Sequence, residues 1–528
     1  MKKTTLATAL LVAVSGAQAG TYFEPLSAPN TNTDADSFNN APFSIPVNWK
    51  QELVASREIM SQQFADRGEE YPYSFANWDM LDFGGDDNEF VFIPHEVDGG
   101  AGITRLNRDT GEAVVLLQGN LAGFVDTNDN DGWNFHNDDF TGLDPAVISP
   151  NGTLLTGEEW GYGSGRMFEM ANPTTATGAD DAEWRWLSNI PSVSHEGVQF
   201  DSEGRMYFID EYNSGSIYRL TPNFGSDLSS GKIEVLVVDA YDGNPAENYN
   251  SASNAAASRT GAATWVTMVD EFGAVQTTAD PYDFSNRGGR YAADELNGTP
   301  YGRPEDLTVG TLANGNEAVY FATTSENIVY SIELTSETTA MVGEYVNSEV
   351  TPDLIGNDPV GTGNPSDSTY GLDDPDNLAS DVVGNIFIIE DENPGDVFMA
   401  HDADKDGVAE SVSLFASLGQ YGSEPTGFKN DPRDPFTFYV NIQHPTSHGH
   451  NDSLWVIKHD IADMCGCQDT RFRAQYVKCV SKAAKKLGIQ RSMRNDLVEV
   501  AANSSCGKEW KGHKGLWKNH GERGGLRR

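Results

Sequence analysis

The chain has 528 residues, with 79 Asp and Glu against 35 Lys and Arg, for a formal net charge of −44. That length accommodates one large domain with appendages, and a field of that sign excludes nucleic acid and anionic membrane as partners of the main body. Beyond one short apolar run at the start, no segment is apolar enough to span a bilayer.

Met1-Lys2-Lys3, an apolar run to Val14 and then Ala17-Gln18-Ala19 read as a secretory signal over residues 1–19, cleaved after Ala19. No twin-arginine pair precedes the run, so export is expected in the unfolded state, giving a soluble periplasmic or secreted product that acquires metals outside. Residues 20–70 carry few strand signals and are expected to form an N-terminal arm. From about residue 71 to 460 one pattern then returns six times. A short element bearing a carboxylate comes first, at Asp79, Asp144, Glu196, Glu305, Asp376 and Glu424. An apolar strand follows a dozen or more residues later, and a further strand closes each copy. The apolar strands end in polar groups: His95-Glu96, Glu158-Glu159, Asp210-Glu211, Thr323-Thr324, Glu390-Asp391 and Asn441-Ile442-Gln443-His444. Repeats of short strands predict an all-β fold, a six-bladed β-propeller over 71–460. Equivalent positions of the blades face one channel, so six recurring acids would meet there. They cannot all stay ionised without cations, and a multi-metal site is expected.

An insertion over about 222–300 separates the third and fourth copies. Its stretch of small and polar residues, Asn248 to Ala257, predicts a loop excursion, either a lid over the channel or a plain surface loop. Residues 461–528 change character: Gln475 to Leu487 and Met493 to Ala502 predict two helices. All four cysteines lie there, Cys465, Cys467, Cys479 and Cys506. In an oxidising compartment they predict one or two disulfides rather than a metal site, with Cys479 and Cys506 able to staple the helices as a hairpin. From Ile461 onward there are 15 Lys and Arg and 6 Asp and Glu, which leaves 20 against 73 for the rest. The end beyond Lys508 is basic and glycine-rich, expected either to be a solubilising tail or to contact an acidic surface.

The carboxylates have specific neighbours: Ser194-His195-Glu196-Gly197, Gly302-Arg303-Pro304-Glu305-Asp306, Pro375-Asp376-Asn377 and Ser423-Glu424-Pro425-Thr426-Gly427. A cage of Asp, Glu and Asn suits hard cations, Ca²⁺ above all, and the few histidines disfavour zinc. Arg303, a lone cation among acids, either balances charge or binds an anionic substrate through its planar fork. Asp402-Ala403-Asp404-Lys405-Asp406-Gly407 matches the first half of a calcium loop, but Ser413 stands at the twelfth position, where a bidentate Glu is wanted. A loose Ca²⁺ site and an acidic turn both fit it; Asp126 to Gly132 is a weaker version. His136, His444, His448 and His450 are candidates for proton transfer or ordinary loop histidines.

In this order and spacing, His195-Glu196, Arg303-Pro304-Glu305, Pro375-Asp376-Asn377, and Ser423-Glu424 leading to Val440-Asn441-Ile442-Gln443-His444-Pro445 resemble the PhoX-type alkaline phosphatases. These are six-bladed propellers with calcium and iron in the channel, and the resemblance covers most of residues 71–460. It implies a metal-dependent hydrolase of phosphate monoesters acting on small-molecule substrates. Glu158, Glu196, Glu305, Asp376, Asn377 and Glu424 would then be metal ligands, and Arg303 the catalytic, phosphate-holding residue. One departure stands out: Gly157 occupies the place where the family has a cysteine bridging iron ions. With the ordinary export signal, it points to several Ca²⁺ ions or an altered centre and counts against iron. Two other readings stay open, because fold does not settle function. One is a non-catalytic binding propeller stabilised by calcium; the other is a calcium-dependent lactonase-like hydrolase, which has no special need of Arg303.

Overall fold

The apolar run in each repeat has no polar alternation because both of its faces are covered. The runs form strands at Phe90–His95, Leu154–Gly157, Met206–Ile209, Glu317–Thr323, Ile386–Glu390 and Thr437–Gln443, all nearly or wholly buried. The computed structural model describes residues 21–30, 32, 40–68, 76–121, 139–159, 165–352, 371–392, 395–419, 423–443 and 452–507. In it each of these strands is the second of a four-stranded antiparallel unit, and there are six such units. The innermost strands are Asp82–Gly84, Val147–Ile148, Val198–Phe200, Pro304–Thr311, Pro375–Ser380 and Glu424–Asn430.

Successive side chains of a strand point to opposite faces, and here the two faces belong to different cores. Met206 and Phe208 pack towards the second unit, with Leu155 and Met167, whereas Tyr207 and Ile209 pack towards the fourth, with Val319 and Phe321. The same division recurs between every pair of consecutive units. The last interface joins sixth to first, where Tyr439 and Val456 meet Phe83 and Val91. The arrangement is that of a β-propeller. The innermost strands of the second to sixth units, with Met80 and Leu81 just before the first, line a central cavity of about 320 Å³, through Val147, Val198, Leu307, Leu378 and Phe428 among others.

The structure adds detail to the arm and the insertion. The N-terminal arm holds the strand Trp49–Ser56, which pairs with Ser453–His459 as the outer strand of the sixth unit and so ties the start of the ring to its end. Its sequence, WKQELVAS, lacks a regular apolar alternation because it is an edge strand half open to solvent. The insertion begins later than residue 222, since Gly231–Val238 is the outer strand of the third unit. A further strand, Gly261–Val269, pairs with it on one side and with Thr339–Asn347 of the fourth unit on the other, merging the two units into one nine-stranded sheet. The polar stretch from Asn248 to Ala257 is a chain of turns organised by buried Asn254. Its amide donates to the carbonyls of Asn244, Glu247 and Asn248 at 2.9–3.0 Å.

The cysteines form two disulfides, but Cys479 pairs with Cys465 and Cys506 with Cys467, not with each other. The predicted helices are present as Arg473–Lys486 and Arg491–Asn503. Tyr476, Val480, Ala484, Leu497 and Val500 join Phe415, Phe438 and Ile457 in one core, so the helices are docked on the fifth and sixth units. No helix among the described residues is long and apolar enough to cross a membrane. The signal segment, the end beyond Lys508, Asp126 to Gly132 and His136, His444, His448 and His450 lie outside the described residues.

Candidate metal and substrate site

The register between the first two strands of each unit builds the site. Trp78 bridges to His95, Leu143 to Glu158, Pro304 to Thr323 and Pro375 to Glu390. In every case the next residue of the first strand is a recurring acid: Asp79, Asp144, Glu305 and Asp376. The next residue of the second strand is Glu96, Glu159, Thr324 or Asp391. These two residues are diagonal neighbours, two positions apart across the antiparallel pair, and so leave the sheet on the same side. In the third unit the Glu211 amide donates to the Ser194 carbonyl at 3.0 Å, which sets Glu211 beside Glu196 in the same manner. Each of these five units thereby delivers an inner acid and an outer polar partner to one mouth of the channel, and in the sixth Glu424 stands directly opposite Gln443.

These groups hold one another in an unfavourable charge state. Burial first, then the neighbouring carboxylates Asp144, Glu96, Asp376 and Glu424, push the Asp79 carboxyl well above its usual range. Burial likewise raises Asp144, with Glu96 and Asp376 adding to it, and Glu196, with Glu305 and Asp376 adding. Glu305, Glu159 and Glu424 are pushed up by burial before any neighbour. Asp376 rises to about 8 through burial and the nearby Asp391. Among the described residues, no hydrogen-bond donor meets Asp79 Oδ1, either carboxylate oxygen of Asp144, or Glu196 Oε2. Glu196, Glu211 and Glu305 each offer a carboxylate oxygen, and all three oxygens lie within 4.8 Å of one another. Buried anionic oxygens without donors suit hard divalent cations with oxygen coordination.

Arg303 lies against this ring. Its Nη2 is 2.6 Å from Glu211 Oε1, its Nη1 is 3.1 Å from Glu305 Oε1, and Asp391 Oδ2 is 3.9 Å away. Burial alone would lower its pKa, but Glu305, Glu211, Glu196 and Asp376 outweigh that and raise it, so the guanidinium stays charged. Its side chain keeps 37% of its surface exposed. Its φ of 58° is left-handed, a conformation that is uncommon for residues other than Gly, Asn and Asp. Two neutral groups among the described residues join the ring: Thr324 Oγ1 donates to Glu305, and Gln443 Nε2 donates to Asp79 Oδ2 at 3.0 Å and to Glu424.

Of the residues singled out in the sequence, Glu196, Glu305, Asp376, Glu424 and Arg303 come together here. Glu158 does not. It points away from the channel, and both its oxygens are taken by buried Arg166, from Nε at 2.6 Å and Nη2 at 2.5 Å. The next residue, Glu159, faces the ring instead, as strand alternation requires. Asn377 also turns out of the channel: its Oδ1 accepts the Gly427 amide at 2.7 Å and links the fifth unit to the sixth. Asp306 makes the equivalent link one unit earlier, accepting the Leu378 amide at 3.0 Å where it lines the central cavity.

The pairing register could have supplied the residues missed. Each apolar strand ends one or two residues before Glu96, Glu159, Glu211 or Asp391, but the two-strand alignment is needed to see that these face the inner acids. At Gly157 an added Cβ would stand 2.5 Å from the His195 Cβ. His195 is fully buried against Phe208, and burial pushes its imidazole down to about 3, so it is neutral. A thiolate has no room at Gly157 on this backbone. The acidic turn brings together carboxylate oxygens of Asp402, Asp404 and Glu410, but the Asp402 carboxylate is already satisfied by the Asp406 and Gly407 amides at 3.2 and 2.8 Å.

The family described as Alkaline phosphatase PhoX matches residues 165–446. No curated protein matches. Among solved structures, PhoX of Pseudomonas fluorescens in complex with vanadate, a transition state analogue, superposes with a TM-score of 0.53 at 15% identity. The alignment covers 83% of this chain and 98% of that one. An auxiliary nutrient binding protein from Bacteroides thetaiotaomicron is similar at a TM-score of 0.41 and 7% identity, over 73% and 70% of the two chains. The PQQ-bound aldose sugar dehydrogenase of Streptomyces coelicolor gives a TM-score of 0.37 and 11% identity, over 79% and 99%.

Proposed function

The chain belongs to the alkaline phosphatase PhoX family, and from that we propose that its channel site hydrolyses phosphate monoesters of small molecules with the help of bound calcium. The observation that carries this reading is Arg303 set against Glu211 and Glu305 at the rim of the acid ring. A planar, permanently charged fork matches two non-bridging phosphoryl oxygens. Glu196, Glu211 and Glu305 would hold one cation, and Asp79, Asp144, Asp376 and Glu424 are the oxygens for others. When bound, such cations neutralise charge building on the phosphoryl oxygens and the departing alcohol. Thr324 and Gln443 fix the orientation of Glu305, Asp79 and Glu424 by donating to them. Among the described residues the candidate ligands of the ring are all oxygens, which together with the crowding at Gly157 supports calcium without a thiolate-bridged iron pair. Two disulfides support a location outside the cytoplasm, in keeping with the signal-like first 19 residues.

Hydrolysis of p-nitrophenyl phosphate by calcium-loaded protein tests the reading, with Arg303→Ala and Arg303→Lys alongside. Loss of a charge-assisted donor to the developing phosphoryl charge is expected to cut kcat/KM by roughly 10²–10³. Lysine, a point charge without the fork, recovers only part of that. Wild-type kcat/KM in Arg303→Ala would remove the phosphate-binding role.

A further inference from the structure

The segment inserted between the third and fourth units brings a second arginine to the site. Arg287 immediately precedes the helix Gly288–Glu295. Three local rules are broken there. Its φ is 52°, left-handed for a long side chain. It stands at the N-cap, where Ser, Thr, Asp or Asn would normally accept an amide, and its side chain makes no cap hydrogen bond. It also places a cation at the positive end of the helix dipole. Asparagine would satisfy all three, so helix formation does not explain this residue. Such local conflicts in a folded chain concentrate at functional positions.

The surroundings show where its guanidinium is held. Gly289 lets the helix start abut the loop of Pro191 to Ser194, since an added Cβ would come within 2.8 Å of Pro191 and Val193. The Gly289 amide donates to the Ser192 carbonyl at 3.0 Å. Arg287 Nη1 donates to Ser194 Oγ. The Ser194 carbonyl accepts the Glu211 amide at 3.0 Å, and the Glu211 carboxylate holds Arg303 at 2.6 Å. Ser194 and Glu211 therefore link the two arginines through one backbone and two side-chain contacts. Arg290, one turn on, forms a bidentate pair with Asp210 at 2.7 and 2.7 Å. Asp210 in turn accepts the Ser194 amide at 3.0 Å, which fixes Ser194 and hence Arg287. Arg287 is half-buried and lies in the field of Asp210, Glu211 and Glu159.

We propose that Arg287 is a second phosphate-binding residue of the channel site, on the Glu159–Glu211 side and next to Arg303. The proposal rests on the phosphatase reading of that site for its substrate, but it predicts binding as well as turnover. At an acidic mouth, a dianionic phosphate needs cations on more than one side. The insertion then contributes to substrate recognition instead of merely decorating the fold.

The test uses the full calcium-loaded protein and inorganic phosphate as the probe, by titration calorimetry, in wild type, Arg287→Asn and Arg287→Lys. Asparagine suits the left-handed N-cap, so Arg287→Asn is expected to melt no lower than wild type while losing the guanidinium. Its Kd for phosphate is expected to rise roughly 10- to 100-fold, the cost of one charge-assisted hydrogen bond. KM for p-nitrophenyl phosphate rises with it, and Arg287→Lys falls in between. Unchanged phosphate affinity in a folded Arg287→Asn variant overturns the proposal, as does a wild type that binds no phosphate. Phosphate binding that depends on Arg287 in a protein hydrolysing no ester would keep this inference and remove the phosphatase reading. Ester hydrolysis with an indifferent Arg287→Asn would do the reverse.

Discussion

Replacing Arg166 by methionine separates two roles that the sequence left entangled at Glu158. Arg166 is 2% exposed and Glu158 is fully buried. The pair shares two side-chain hydrogen bonds, at 2.6 and 2.5 Å, and the Arg166 amide adds a third at 3.2 Å. Arg166 Nη2 also reaches the Asp139 carbonyl at 3.0 Å, and its guanidinium lies over the rings of Phe140 and Phe168. Arg166→Met strands a buried carboxylate, so it is expected to cost about 3–5 kcal/mol of unfolding free energy. Glu158→Gln strands the cation and should cost a comparable amount. The double variant Glu158→Leu with Arg166→Met removes both charges and should return most of the loss. Denaturant unfolding, run with EDTA and again with calcium, reads all four proteins. A structural pair gives the same loss in both conditions and leaves bound calcium unchanged. An Arg166→Met protein within about 0.5 kcal/mol of wild type, or a Glu158→Gln effect that vanishes in EDTA together with lost calcium, would refute the reasoning.

Two further outcomes are expected. The inner acids are raised in the folded, metal-free state, Asp376 from 3.8 to about 8, so the native chain binds more protons than the unfolded one across that interval. Stability of the chelated protein should therefore be greatest near pH 4 and fall as the pH rises towards 8, whereas saturating calcium should abolish most of that slope. Thermal melting across that range checks the sign, and a chelated protein that gains stability with pH would show that the ring is not the dominant titrating unit. Gly157→Cys should lower the melting temperature and take up no additional iron, because the new Cβ meets His195 at 2.5 Å; a stable variant that binds iron would show that the loop yields.

Much of the fold was legible because a propeller blade writes its burial into the chain. The unbroken apolar run at Ile386-Phe387-Ile388-Ile389 marks a strand covered on both sides, and the recurring carboxylate marks the channel end of the strand before it. The outer strands carry less information. Trp49–Ser56 is an edge strand paired with residues about four hundred positions away, so only long-range pairing reveals it. The disulfide partners were unreadable for a similar reason, since four cysteines permit three connectivities. At the site, composition identified the acids, but direction needed the register. Glu158 and Glu159 are indistinguishable by type, and alternation sends one to Arg166 and the other to the ring. Asn377, next to Asp376, is turned out by the same rule and links neighbouring units through Gly427.

The central claim is that a calcium-loaded ring of carboxylates with Arg303 at its rim hydrolyses phosphate monoesters without a thiolate-bridged iron pair. It is tested most directly on one purified sample, by metal analysis and p-nitrophenyl phosphate hydrolysis together. The protein is assayed as isolated, after chelation, and after calcium is returned with or without iron. Activity lost on chelation and restored by calcium alone is the expected result; activity that returns only with iron, or none in any loaded sample, would contradict it.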